Sequence, residues 1–145
     1  MIRVRDFLKR VNRRDDGVAA VEFAIVGMLF LVILFGILTY GFIFGLDQSI
    51  THAAEEGARS AISKTTTADQ IAQAQSTALQ RLSWMGSYIH PSDVVATVAT
   101  CANDPSVSCI TVTITYPWST RPMIPAFPGL VTPPNVRAVA VVQLD

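Results

Sequence analysis

Glu22 is the residue of this sequence whose type and position most need a chemical explanation. Its carboxylate follows Gly17 by five residues and directly precedes an uncharged apolar run, residues 23–46. A carboxylate in a membrane span costs about 2.5–3.5 kcal/mol at the bilayer centre and less near an interface, and such residues are functional candidates. The residues alone leave two interpretations open: Glu22 pairs with a partner group in lipid, or it reaches back to the headgroups.

The two cysteines, Cys101 and Cys109, could form a disulfide or contribute to a metal site. A metal site would need further ligands, and neither His52 nor His90 has a suitable spacing for one. A bridge that closes this short loop would contribute roughly 2–3 kcal/mol in the chain-entropy model. The disulfide is therefore the favoured prediction.

No sequence pattern indicates catalysis. The chain contains no nucleophile elbow, phosphate-binding loop, HExxH pair or paired cysteine motif. Glu55 and Glu56 are adjacent, so on a helix they point to different sides, as in a solvated surface. We therefore expect that this protein is not an enzyme and that it needs no cofactor.

The elements that position Glu22 begin with a membrane span. The 24 uncharged residues 23–46 would reach about 36 Å as a helix, against a hydrocarbon core of about 30 Å. Six Lys/Arg in residues 1–17 hold that end in the cytoplasm. Because this basic stretch stands beside a span, it does not favour nucleic-acid binding. Residues 47–145 are then extracytoplasmic, where disulfides persist.

After the span, small residues continue at helical spacing as far as residue 62. This stripe either packs on its own domain or packs against sister helices, and Glu55 and Arg59 form a favourable i,i+4 pair. Gly41 and Gly45 form a GxxxG pair, which suggests helix packing but is also common in spans. The stripe consists of Ile50, Ala53, Ala54, Gly57, Ala58, Ala61 and Ile62.

The remaining residues predict a helix followed by strands. Thr67 and Gln70 form a capping box at the start of the helix, and Gly86 is the expected C-terminal cap. The expected apolar face of this helix consists of Ile71, Ala72, Ala78, Leu79, Leu82 and Met85. The segments VVATVATC, CITVTITY and NVRAVAVVQL alternate with period two, as strands do. A proline-rich loop precedes the third strand, and its Trp118, Met123, Ile124 and Phe127 either cover the sheet or contact a partner.

The predicted fold class is α+β: a long N-terminal transmembrane helix extends into a small extracytoplasmic domain with about three antiparallel strands. The predicted boundaries are a basic leader at residues 1–17 and a transmembrane helix at 18–46. The helix then continues outside the membrane at 47–63 and leads into the small domain at 64–145.

The residues around Glu22 resemble the class III signal of type IV prepilins and pseudopilins. Basic residues precede Gly17, the small apolar stretch VAAV follows, and Glu22 and Phe23 stand before the span. The Glu–aromatic pair is similar to that of the Flp subclass of tight-adherence (Tad) pili. The run AAEEGARSA resembles the Ala–x–Glu–Gly–Ala–Arg run of TadE-like pseudopilins, with the matching residues Ala54, Glu55 or Glu56, Gly57, Ala58 and Arg59.

This resemblance implies a minor pseudopilin of Tad/Flp pilus assembly, with a role in adherence and biofilm formation. A membrane-embedded prepilin peptidase would cut between Gly17 and Val18, and the Glu22 carboxylate would meet the free Val18 amine of a neighbouring subunit. The implied partners are this peptidase, other Tad pseudopilins, the Flp pilin and the Tad inner-membrane assembly platform. The implied location is the cytoplasmic (inner) membrane, with the C-terminal domain periplasmic or extracellular.

Two other functions stay open on the sequence. The chain could be an uncleaved, single-span anchor for an extracytoplasmic binding domain, in which case Glu22→Ala would leave its localisation and partners unchanged. It could instead be a pseudopilin of a secretion system. Neighbouring genes for a Tad secretion ATPase and an Flp pilin would favour the pilus assignment over that one.

Overall fold

The computed structural model describes residues 14–125 and 129–144, with side chains from residue 17 onward. The predictions for residues 1–13 of the basic leader and for Phe127 lie outside these described residues. The chain divides into two units between Leu38 and Thr39.

Helix α1, Arg14–Ser60, begins in the first unit and ends in the second. Its sequence contains no proline, and its many Ala and Leu residues favour the helical backbone. Between residues 18 and 38 its large apolar side chains are exposed, from Leu34 at 37% to Phe23 at 79%. This helix is long and apolar enough to cross a bilayer. The structure thus confirms the predicted long N-terminal apolar helix.

Three antiparallel strands form one sheet in the order β1-β2-β3: β1 is Val94–Thr100, β2 is Ser108–Tyr116 and β3 is Val136–Leu144. In the central register Val112 pairs with Ala96 on one side and Ala140 on the other. Alternate side chains of β2 point to opposite faces, as period two requires. Its predicted inward residues are all fully buried, namely Ile110, Val112, Ile114 and Tyr116.

Helix α2, Thr67–Arg81, packs against β1 and against the end of α1. The two helices approach closely because small residues face each other. A Cβ added at Gly57 would lie 2.7 Å from the carbonyl oxygen of Ala74 and 3.1 Å from the Cβ of Ala78. The fully buried neighbours of this contact are Ala53, Ala54 and Ala58 on α1, and Ala61 in the 3-10 turn that follows it. The small-residue stripe therefore packs on its own domain.

The start of α2 differs from the prediction by one residue. The N-cap is Thr66, whose hydroxyl oxygen accepts the backbone N–H of Asp69 at 3.2 Å. Thr67 is the first helical residue, and the Gln70 side chain donates instead to the carbonyl of Lys64 at 3.0 Å. The acidic residue of this capping interaction is thus Asp69, three residues after Thr66.

The end and the apolar face of α2 also differ from the prediction. The helix ends at Arg81, and Gly86 lies within the following 3-10 segment, Ser83–Tyr88, with a positive φ of 55°. Gly86 therefore permits a turn beyond the helix and is not its cap. Ala72 is exposed and Ala74 is buried, and Ile62 of the predicted stripe is also exposed.

The proline-rich loop after β2 covers the core. Trp118 is buried, its ring lies 6.0 Å from that of Phe42, and Met123 and Ile124 pack against the core. These contacts favour the covering role over the partner contact for the three described residues. Arg121 fixes the start of the loop by donating to Asp93 at 2.6 Å and to the Tyr88 carbonyl at 2.7 Å.

Tyr116 connects this loop to the sheet. Its hydroxyl donates to the carbonyl of Arg121, and the Arg121 guanidinium lies 5.6 Å from the centre of its ring. Burial raises the pKa of the Tyr116 phenol, because the charged phenolate would be poorly solvated there. The phenol therefore stays protonated, and remains a hydrogen-bond donor, at neutral pH.

Cys101 and Cys109 form a disulfide across the β1–β2 turn, with their Cα atoms 5.0 Å apart. This confirms the favoured prediction. Replacing both cysteines by serine should lower the free energy of unfolding by about 2–3 kcal/mol, because the unfolded chain regains loop entropy. Urea unfolding of the full chain in nanodiscs measures this loss. A reductant should cause a comparable loss in the wild type and none in the double variant. Equal stability of the oxidised and reduced wild type would contradict the prediction.

Candidate functional site

The first candidate site lies on the N-terminal turns of α1. Gly17, Val18, Val21, Glu22 and Ile25 line one open surface depression. Val18 and Glu22 are four residues apart, so they lie on one face, about 6 Å apart along the helix axis. The Glu22 carboxylate has no hydrogen-bond or ion-pair partner among the side chains described. It is therefore available to a group from outside the described chain.

Phe23 lies beside Glu22 but points elsewhere. Its ring is 79% exposed, and Val18 is 67% exposed. Large apolar surfaces of this kind are stable in lipid or against another apolar helix, not in water. The Glu–aromatic pair thus presents a carboxylate and a ring to the surroundings of the helix.

Gly17 lies inside α1, which begins at Arg14. A peptidase cleft requires an extended backbone at the cut, so cleavage after Gly17 would require the first turn to open. The first four N–H groups of a helix have no intrahelical acceptor, and this turn is the least costly one to unwind. An added Cβ at Gly17 meets no atom within 4 Å among the described residues, so the position is accessible.

Gly41 and Gly45 are the second candidate site. Both are exposed, and a Cβ added at either would meet no atom within 4 Å. This face of α1 is therefore left open by the described part of its own domain. It differs in this respect from Ala54, Gly57 and Ala58, which are buried. The alternative of packing against sister helices consequently no longer applies to those three residues.

Arg59 does not form the predicted ion pair with Glu55. Both residues line a depression beside the edge strand β3, together with residues 139–142. The ion pair present on this helix joins Glu56 to Arg81 at 3.6 Å, between exposed side chains. An exposed pair of this kind contributes little to stability.

The sequence interpretation missed the role of residues 39–46. Thr39, Ile43 and Leu46 are buried, with exposures of 4%, 7% and 1%. The Tyr40 hydroxyl donates to the carbonyl of Val131. These residues belong to the second unit, although they had been assigned to the span. The one available signal was the pair Thr39–Tyr40, whose hydroxyl groups interrupt the purely apolar run.

Comparison with known families is informative for the first part of the chain. The model of the family described as TadE-like protein matches residues 17–59. Residues 17–59 are therefore similar to a TadE-like domain. The match begins at Gly17, ends at Arg59 and contains both candidate sites. No curated protein and no solved structure matches the chain significantly.

The TadE-like match covers 43 of the 145 residues, so it concerns α1 almost alone. The sheet, α2 and the proline-rich loop lie beyond it. The match supports a Tad pilus-related protein with an N-terminal apolar helix consistent with a single-pass membrane anchor.

Proposed function

We propose that this TadE-like chain is a minor pseudopilin of Tad/Flp pilus assembly, a structural component and not an enzyme. The observation that carries the proposal is the position of Glu22. It is an exposed carboxylate without a partner among the described residues, on an apolar helix whose TadE-like match begins at Gly17. Such a group in lipid needs an opposite charge, and a processed N-terminus would supply one.

The mechanism has three steps. The basic leader keeps the N-terminus in the cytoplasm, and the prepilin peptidase cuts after Gly17. The new Val18 amine of one subunit then pairs with the Glu22 carboxylate of its neighbour. This ion pair sets the register of the two helices, and the open Gly41–Gly45 face lets a helix backbone approach closely.

The proposed cellular location follows from the same membrane topology. The chain resides in the cytoplasmic membrane, with the second unit on its outer side, next to the Tad assembly platform, the Flp pilin and other pseudopilins. The disulfide is compatible with an oxidising compartment. The role served is surface adherence and biofilm formation.

The N-terminus of the chain purified from its own membranes tests this proposal. We expect intact mass and N-terminal sequencing to show a chain that begins at Val18. Gly17→Leu should accumulate as the full-length precursor, because a large side chain hinders the extended backbone in a peptidase cleft. Gly27→Leu is the matched control, since Gly27 lies on the same helix with open space around its Cα, and it should be processed normally.

A wild-type chain that keeps Met1 while the peptidase is active would overturn the processing step. The chain would then be an uncleaved membrane anchor carrying a TadE-like segment.

A further inference from the structure

The packing of Thr39, Ile43 and Leu46 limits how far the lipid core can extend along α1. Ile43 and Leu46 belong to the same core cluster as the sheet residues of the second unit, and Thr39 is buried as well. This unit also exposes charged groups, such as Glu55 and Arg59, that the hydrocarbon region would not accept. Residues 18–38, which are apolar except for Glu22, are left for lipid and extend about 31 Å, close to the hydrocarbon thickness of about 30 Å. A span with its outer boundary at Leu38 would therefore match the thickness of the hydrocarbon core.

Tyr40 lies two residues beyond this boundary. Tyrosine is enriched at membrane interfaces, where its ring contacts apolar groups and its hydroxyl is hydrogen-bonded. Its hydroxyl here donates to the carbonyl of Val131 in the proline-rich loop. Val131 is therefore held close to the point where the chain leaves the lipid. Its side chain is 81% exposed, although it is purely apolar.

The loop around Val131 is suited to a poorly hydrated environment. In the described residues 117–125 and 129–135 the one charged side chain is Arg121, and Asp93 neutralises it at 2.6 Å. Prolines have no N–H group that would need a partner away from water, and the loop is rich in them. The carbonyls of Val131 and Pro134 accept bonds from Tyr40 and from the Ser119 N–H, the latter at 3.0 Å. Few polar groups would thus lose hydration on contact with lipid.

We propose that the described residues 129–135 of this loop, with Val131 foremost, insert into the outer interfacial layer of the bilayer. The inference rests on the membrane anchor of the proposed function but not on processing or pilus assembly. It assigns a lipid-binding role to a segment outside the TadE-like match.

Spin labels on the full chain in phosphatidylcholine–phosphatidylglycerol nanodiscs test this inference. The native cysteines of the wild type form the disulfide, so one added cysteine can be labelled selectively. The label sites are Val131→Cys, Val141→Cys on the outer face of β3 and Leu31→Cys within the span. Val141 is the matched control, because it is also an exposed valine, at 59%. The ratio of relaxation by oxygen to relaxation by a water-soluble nickel chelate reports the depth of each label.

We expect the ratio at Val131 to be several-fold higher than at Val141 and closer to that at Leu31. Equal ratios at Val131 and Val141, with a lipid-exposed Leu31, would overturn the inference and leave the anchor intact. A water-exposed Leu31 would instead refute the anchor itself and the inference with it. A third outcome is that the label at Val131 is protected from both reagents and becomes accessible to them only when each disc holds a single chain. That result would show that the loop contacts a second subunit, and it would overturn the lipid contact.

Discussion

Replacing Gly57 by valine is expected to lower the free energy of unfolding of the second unit by about 3 kcal/mol. The Cβ of any larger residue would lie 2.7 Å from the Ala74 carbonyl oxygen, which is a backbone atom and cannot turn aside. To relieve the contact, α2 would have to move away from α1, and α2 also packs on β1. The whole domain core therefore resists this substitution.

Urea unfolding of the full chain in nanodiscs, followed by tryptophan fluorescence, measures the effect. Trp118 is 3% exposed and reports on the core, whereas Trp84 is 55% exposed and can be replaced by phenylalanine to simplify the signal. Gly45→Val is the matched control, because it makes the same change on the same helix in open space. We expect this control to change stability by less than about 0.5 kcal/mol. Equal losses in the two variants would show that α2 does not constrain Gly57.

Glu22→Gln is expected to reduce the association of the chain with its partner helices by about a hundredfold. Removing one partner of an ion pair buried in lipid costs about 3 kcal/mol or more, since the other charge is left without compensation. Glutamine keeps the size of the side chain and removes only its charge. Insertion into the membrane and the stability of the second unit should not change, because Glu22 lies in the first unit.

Affinity purification of the tagged chain from native membranes, with quantification of the pilin subunits that accompany it, measures this association. Glu55→Gln is the control: Glu55 is an exposed carboxylate on the same helix, and its substitution should leave the yield of partners unchanged. A second test uses Gly17→Leu, whose uncleaved chain has no free amine at Val18. Glu22→Gln should add little further loss in that background. If Glu22→Gln reduced the association as strongly in the Gly17→Leu background as in the wild type, Glu22 would act on some group other than this amine.

These two substitutions illustrate what the sequence could and could not predict. The strand residues Ile110, Val112 and Ile114 were identified as buried because an alternation of period two admits one interpretation. The small-residue stripe around Gly57 was recognised as a packing face, but the atoms that cover it were not predictable. Periodicity shows that a face is buried, not whether its own domain or another chain buries it.

The part of α1 that belongs to the second unit could not be located for a related reason. A hydropathy pattern does not distinguish a side chain in lipid from one in a protein core, so Ile43 and Leu46 were assigned to the membrane. The start of α2 was misplaced because two adjacent threonines can both cap a helix, and only the bond to Asp69 selects Thr66. The carboxylate of Glu22, by contrast, was identifiable because charges in an apolar run are rare.

The burial of Thr39, Ile43 and Leu46 has a consequence for how proteolysis would affect this protein. Many anchored ectodomains are shed when a protease cuts an exposed stalk between the anchor and the folded part. Here residues 39–46 are helical, and Ile43 and Leu46 among them belong to the core of the second unit. A cut beyond Leu46 would remove part of the core and release a chain unable to stay folded.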